Sequence, residues 1–268
     1  MQLLISVAGP ADARAALLGG ADVIDAKDPR HGALGPVTLH RLAAIRAAIG
    51  GARPLSAALG DAADEHAVAT TVAAAASPGL AFVKVGFAGV TSEARVRRLA
   101  VAAERAATDV RTRLVLVAYA DWRRAQSLAP ARILTVAAGA GAAGVLLDTA
   151  NKGAPLFTLQ SPTSVAAWIA AAHAAGLFAA LAGGLCGPDF THARALRADL
   201  VGVRGAACVG GRTGRVSQSR VAALRALAGA PPAPRVLPRR GVFPQRHLEL
   251  PEIVGRDDEV LHAARERA

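Results

Sequence analysis

Short apolar runs alternate along this chain with longer stretches in which Ala, Leu and Arg recur at helical spacing. The runs fall at 3–7, 23–27, 55–59, 81–85, 114–118, 144–148, 177–182 and 199–203, and their Val, Leu and Ile content is that of strands buried on both faces of a parallel sheet. Each is followed by a segment that predicts an amphipathic helix, near 11–18, 36–49, 63–76, 92–107, 123–138, 163–175, 188–197 and 217–228. Eight βα units in about 230 residues predict an α/β fold, a closed TIM (β/α)8 barrel. An open doubly wound sheet is the alternative. It would use fewer strands and usually a glycine-rich turn after the first, where this chain has only Gly9, so the dinucleotide fingerprint is missing. Similar phrases at 19–25, 141–148 and 197–204 each read as a helix end, a small-residue turn and a strand closing on a charged residue. Any βα array produces that echo, so it supports the fold and says nothing of function.

The pattern changes near Ala230, where Pro231, Pro232, Pro234, Pro238 and Pro244 interrupt an Arg-rich stretch and preclude regular helix. Residues 1–229 are therefore expected to form the barrel, and 230–268 a Pro/Arg-rich C-terminal extension with a short helix near 257–266. The apolar stretch 165–185 mimics a membrane span, but it carries His173 and is cut by Gly176, so it reads as an Ala-rich helix followed by a strand. No targeting segment is visible, and the protein is expected to be soluble and cytoplasmic.

Composition narrows the function. Of the 268 residues 53% are hydrophobic and 19% charged, which excludes wholesale disorder. Two cysteines cannot build a disulfide framework, and no Cys/His spacing suggests a metal site. The net charge of +11 suits nucleic acid, an anionic membrane or anionic small molecules, but with only 3% aromatic residues the chain lacks stacking platforms for single strands. Only three of the 31 basic residues are lysine, namely Lys27, Lys84 and Lys152. All three fall within or just after predicted strands, at the end of a barrel where reacting groups collect. Arginine can supply charge and salt bridges, but near neutral pH it cannot lose a proton and act as an amine nucleophile. Lysine kept only there points to amine chemistry.

Side-chain alternation sharpens the picture. Asp25 and Lys27 share a face, Lys84 lies between two outward valines, and Asp148 ends its strand facing inward. Three amines and two carboxylates would converge on one cavity, where neighbouring cations and desolvation free a neutral amine to attack a carbonyl. Structural pairing of Asp25 with Lys27 and of Asp148 with Lys152 is the plainer alternative. The last two strands end in Gly183-Gly184 and in Arg204-Gly205-Ala206, small residues that let backbone N–H groups approach a phosphate. A lysine with a phosphate site suggests Schiff-base chemistry on a sugar or triose phosphate. Cys186 and Cys208 read as loop filler, and Arg30 and His31 are weaker candidates for substrate contact.

At these residues the chain resembles the (5-formylfuran-3-yl)methyl phosphate synthases, also called 4-(hydroxymethyl)-2-furancarboxaldehyde-phosphate synthases. The matching stretches are 19–29 with Gly32 and Leu34-Gly35, Val83-Lys84-Val85-Gly86, 147–152, Leu181-Ala182-Gly183 and 201–208, spread over about 1–228 in order and spacing. The resemblance implies a TIM-barrel lyase that joins two glyceraldehyde 3-phosphate molecules into a furan aldehyde phosphate, losing one phosphate and two waters, in biosynthesis of methanofuran-type one-carbon cofactors. It implies that Lys27 forms the Schiff base and Lys84 accepts a proton, while Asp25, Asp148 and Lys152 assist proton transfer and dehydration. Gly183, Gly184, Arg204, Gly205 and Ala206 are expected at substrate phosphate. No cofactor or metal is expected, because condensation, dehydration and phosphate loss leave the overall oxidation state unchanged. A homo-oligomer acting on a small triose phosphate is expected, without nucleic acid or membrane. The competing readings are another Schiff-base aldolase-like barrel acting on a sugar phosphate, and a basic non-catalytic nucleic-acid-binding protein.

Overall fold

The computed structural model describes residues 1–76, 79–107 and 112–229. Eight parallel strands close into a barrel in sequence order, each hydrogen-bonded to the next and the last to the first. They are β1 (Gln2–Val7), β2 (Val23–Ala26), β3 (Leu55–Asp61), β4 (Phe82–Gly86), β5 (Arg113–Tyr119), β6 (Gly144–Asp148), β7 (Phe178–Leu181) and β8 (Leu200–Val203). Outside them lie α1 (Pro10–Leu18), α2 (Leu39–Ile49), α3 (Glu65–Ala76), α4 (Glu93–Ala106), α5 (Pro130–Ala140), α7 (Pro162–Ala174), α8 (Asp189–Ala195) and α9 (Gln218–Ala228). A single turn, α6 (Leu156–Leu159), interrupts the connection from β6 to α7, and a small hairpin of β9 (Cys208–Val209) and β10 (Arg215–Val216) follows β8. The extension expected over 230–268 lies outside the described residues.

The period-two alternation of the strands sorts the core into two parts. Leu3, Ile5, Ile24, Val83, Val85, Val145, Leu147, Val201 and Val203 pack outward, in the shell shared with the helices. Leu4, Val23, Val115, Leu146, Ala180 and Leu200 pack inside the barrel. Higher on the same inward columns sit the polar residues Ser6, Asp25, Ser56, Lys84 and Asp148, all buried. The strands thus carry hydrocarbon at one end of their inner face and charge at the other.

Helix boundaries follow local chemistry. Thr38, Ser92 and Ser161 cap α2, α4 and α7 by accepting from backbone N–H groups three residues on. Thr38 makes α2 start later than the expected 36. The helix expected at 123–138 differs more, because residues 121–126 form turns and α5 begins only at Pro130. Proline fits the first helical turn but forces the residue before it out of helical geometry, and Ala129 is extended (φ −56°, ψ 146°). The mixed apolar pattern before Pro130 hid that break.

Candidate active site

A cavity of about 320 Å³ opens inside the barrel at the C-terminal ends of the strands. Lys27, Lys84, Asp148 and Lys152 line it, as do Gly183, Gly184, Arg204, Gly205 and Ala206 from the last two loops. Asp25 lies directly behind Lys84. The residues singled out from sequence therefore meet in one place.

The first cluster is a buried ion pair. Lys84 Nζ lies 2.7 Å from Asp25 Oδ2, with Asp25 fully buried. Asp25 also accepts hydrogen bonds from Ser6 Oγ (2.9 Å) and Ser56 Oγ (2.8 Å), one to each oxygen. Three neighbouring strands thus hold one carboxylate, as a buried charge requires. The partner of Asp25 is Lys84, not the Lys27 two residues away. The sequence spacing suggested that nearer pairing, but the barrel brings β4 into reach across β3.

Lys27 follows β2 directly and is 9% exposed. Among the described residues no acceptor lies within hydrogen-bonding or ion-pairing distance of its Nζ. Burial lowers its pKa from 10.5 to about 8; the Asp148 carboxylate opposes that shift, and the ammonium groups of Lys84 and Lys152 add to it. A buried amine without a partner, near half-deprotonated at mild pH, is the state a nucleophilic lysine needs.

Asp148 closes β6. Its Oδ1 accepts from Lys152 Nζ (2.7 Å) and from the Thr149 N–H (2.7 Å), whereas its Oδ2 is buried with no hydrogen-bond partner among the described residues. Burial would raise its pKa, yet Lys152 and Lys27 outweigh that and hold it below the ordinary carboxylate value. The loop carrying Lys152 is held from below by Asp121, whose two oxygens accept from the N–H groups of Ala150 and Asn151.

The last two loops complete the wall. Gly183 has φ +97°, and a Cβ there would lie 2.8 Å from Thr149 Cγ2, so only glycine fits between these loops. Among the described residues, the backbone N–H groups of Gly183, Gly184, Gly205 and Ala206 donate to no protein acceptor. Arg204 has a second task besides the one expected from sequence. It lines the cavity, but all three guanidinium nitrogens already donate to protein: Nη1 to Ser6 O and Asp12, Nε to Arg212 O, and Nη2 to Gly214 O. It braces the loop with four of its five N–H groups, which leaves one on Nη2 for a ligand.

Arg212 is the lining cation that sequence reasoning missed. It sits in the turn Gly210-Gly211-Arg212-Thr213-Gly214 between β9 and β10, and its side chain crosses to the carbonyls of Pro29 and Gly32. An arginine bracketed by glycines in the eighth loop was a usable signal, obscured by the abundance of arginine elsewhere. Ser6 and Ser56 were also legible, as polar residues at inward positions of apolar strands. Arg30 and His31 are exposed and do not line the cavity. Cys186 does line it, but burial and the Asp189 carboxylate raise its thiol pKa, the reverse of an activated nucleophile. Cys208 is buried, and its pKa is likewise raised by burial. Among the described residues no His, Cys, Asp and Glu cluster could hold a metal ion, and no helix is long and apolar enough to cross a membrane.

Comparison with known proteins gives this arrangement a family. The family model described as 4-HFC-P synthase matches residues 3–225. A (5-formylfuran-3-yl)methyl phosphate synthase of Methanocaldococcus jannaschii is 35% identical over 233 residues, covering 85% of this chain and 99% of its own. That of Methanosarcina barkeri is 33% identical over 225 residues, covering 82% and 96%. Among solved structures, phosphoribosyl anthranilate isomerase from Thermus thermophilus superposes with TM-score 0.57 at 17% identity, covering 85% of this chain and 98% of that one. A 3-hexulose-6-phosphate synthase does so with TM-score 0.55 at 19% identity, covering 83% and 99%. At such low identity the solved structures speak for the barrel alone. The family match extends over nearly all of that barrel, from β1 into α9, and the chain belongs to the 4-HFC-P synthase family.

Proposed function

We propose that this protein is a furan phosphate synthase that condenses two molecules of glyceraldehyde 3-phosphate through a Schiff base on Lys27. The observation that carries the proposal is the buried Lys27 amine with its pKa near 8, unpartnered among the described residues, in a cavity whose lining includes four backbone N–H groups that donate to no described acceptor. The amine adds to the aldehyde carbon and water leaves, forming an iminium that serves as electron sink. Loss of the proton at the adjacent carbon then gives an enamine, whose carbon attacks the aldehyde of the second molecule. Lys84 takes up that proton as it passes one of its own to Asp25 Oδ2, 2.7 Å away, so the pair ends as ammonium and carboxylic acid until the proton is returned. Asp148, with one oxygen tied to Lys152 and the other unpartnered among the described residues, would accept from a substrate hydroxyl during dehydration. Ring closure, loss of one phosphate and loss of two waters complete the furan, and atoms balance without an oxidant or reductant. The N–H groups of Gly183, Gly184, Gly205 and Ala206 would cradle a phosphate at loops seven and eight. The product would feed assembly of a methanofuran-type cofactor.

The test is incubation with glyceraldehyde 3-phosphate, with and without borohydride. The proposal expects a reduced adduct on Lys27 in digests and, without borohydride, growth of a near-ultraviolet furan absorbance. Lys27→Ala should lose both; full activity in that variant rejects the Schiff-base role. An adduct without furan absorbance would leave an aldolase-like barrel acting on another sugar phosphate.

A further inference from the structure

The cavity wall carries five cationic side chains, Lys27, Lys84, Lys152, Arg204 and Arg212, against the single carboxylate of Asp148. Three of them are already matched. Lys84 pairs with Asp25, Lys152 with Asp148, and Arg204 with Asp12 at 3.2 Å. Lys27 is the amine assigned to carbonyl capture. That leaves Arg212, which among the described residues has no carboxylate within ion-pairing distance and donates only to two backbone carbonyls. It is half-buried, so its charge is partly desolvated, and the carboxylates of Asp148 and Asp28 act on it only from beyond ion-pairing distance. A permanent, planar cation with no directly paired carboxylate among the described residues, lining a ligand cavity, suits an oxyanion it can grip with two parallel N–H groups.

The surroundings hold Arg212 ready. Its carbonyl and that of Gly214 both accept from Arg204, which is itself fixed to Ser6 and Asp12, so the turn is pinned to the C-terminal end of β1 and the start of α1. Its side chain spans from this turn to the loop that begins at Lys27. A Cβ built on Gly205 would lie 3.9 Å from the Arg212 backbone, so the turn adjoins the free N–H groups of the eighth loop.

We propose that Arg212 is a phosphate anchor that selects phosphorylated over unphosphorylated aldehydes, exchanging its contacts with the carbonyls of Pro29 and Gly32 for phosphate oxygens. The anchor rests on the proposed function only in naming a phosphorylated aldehyde as the ligand. Arg212 supplies a side-chain cation beside the backbone cradle of the eighth loop. Arg204 is then a positioning residue, acting through the turn it holds.

Two measurements on the full chain test this. Calorimetric titration with inorganic phosphate should show affinity lowered on the order of 10–100-fold in Arg212→Gln, the range for losing a charge-assisted pair of hydrogen bonds. Arg212→Lys should fall between Arg212→Gln and the native protein, because it keeps the charge and loses the fork. Borohydride trapping on Lys27 should show the rate ratio of glyceraldehyde 3-phosphate over glyceraldehyde collapsing in Arg212→Gln. A brace between loops would slow both aldehydes alike and leave that ratio unmoved. An unchanged ratio, or native phosphate affinity in both variants, overturns the anchor. The phosphate titration needs neither adduct nor furan, so Arg212-dependent binding would stand even if Lys27 proved unreactive.

Discussion

Replacing Lys27 with methionine should make the fold more stable, by an amount that depends on pH. In the folded protein the amine gives up its proton near pH 8, whereas in the unfolded chain it holds it until about 10.5. Between those values the unfolded state binds more protons, so native stability rises with pH across that window. Below pH 8 both states are protonated and the folded state carries the full cost of a charged, desolvated ammonium. At about 1.4 kcal/mol per pH unit, that cost is about 3 kcal/mol. Methionine has similar length and no charge, so Lys27→Met should gain about 3 kcal/mol at pH 7, corresponding to a rise of about 6–12 °C in Tm for a barrel of this size. The gain should shrink from pH 8 upward and vanish near 10.5. Urea unfolding of both proteins from pH 6.5 to 10.5 reads the difference directly, since every other titrating group is common to both. A stability difference that stays flat with pH would refute the depressed amine and with it the physical basis for a nucleophilic Lys27. The expected trade, higher stability with lost adduct formation, is what a strained functional group produces.

Asp148 raises the Lys27 pKa, so Asp148→Asn should move the pH midpoint of borohydride trapping on Lys27 below about 8; a midpoint that stays or rises removes that coupling. Asp25→Asn should destabilise the fold by about 3–5 kcal/mol in denaturant titration, because the buried Lys84 loses its counter-ion, whereas the double change Asp25→Leu with Lys84→Met should cost less. Gly183→Ala should cost about 1–3 kcal/mol through its left-handed backbone and its clash with Thr149, and should weaken binding of inorganic phosphate in the same calorimetric titration.

Much of this protein could be read along the chain because the relevant physics is local. A strand buried on both faces must be apolar on both, so runs such as 144–148 announced themselves, and eight of them with helices between leave few topologies. Alternation then fixed which residues face inward, and that alone gathered Lys27, Lys84 and Asp148 into one cavity. The scarcity of lysine was likewise a property of composition. What the closed barrel decided was pairing. Asp25 and Lys27 are neighbours in sequence, but closure sets Lys84 against Asp25 and leaves Lys27 without a directly bonded partner among the described residues. The same holds for the two arginines of the eighth loop. Both sit among glycines and look alike in sequence, yet Asp12 and Ser6 on distant elements bind one of them, while among the described residues no carboxylate lies within ion-pairing distance of the other. Burial, counter-ions and desolvation are long-range quantities, summed over residues that meet only after folding, so they set the chemistry of each charge without leaving a trace in its sequence neighbourhood.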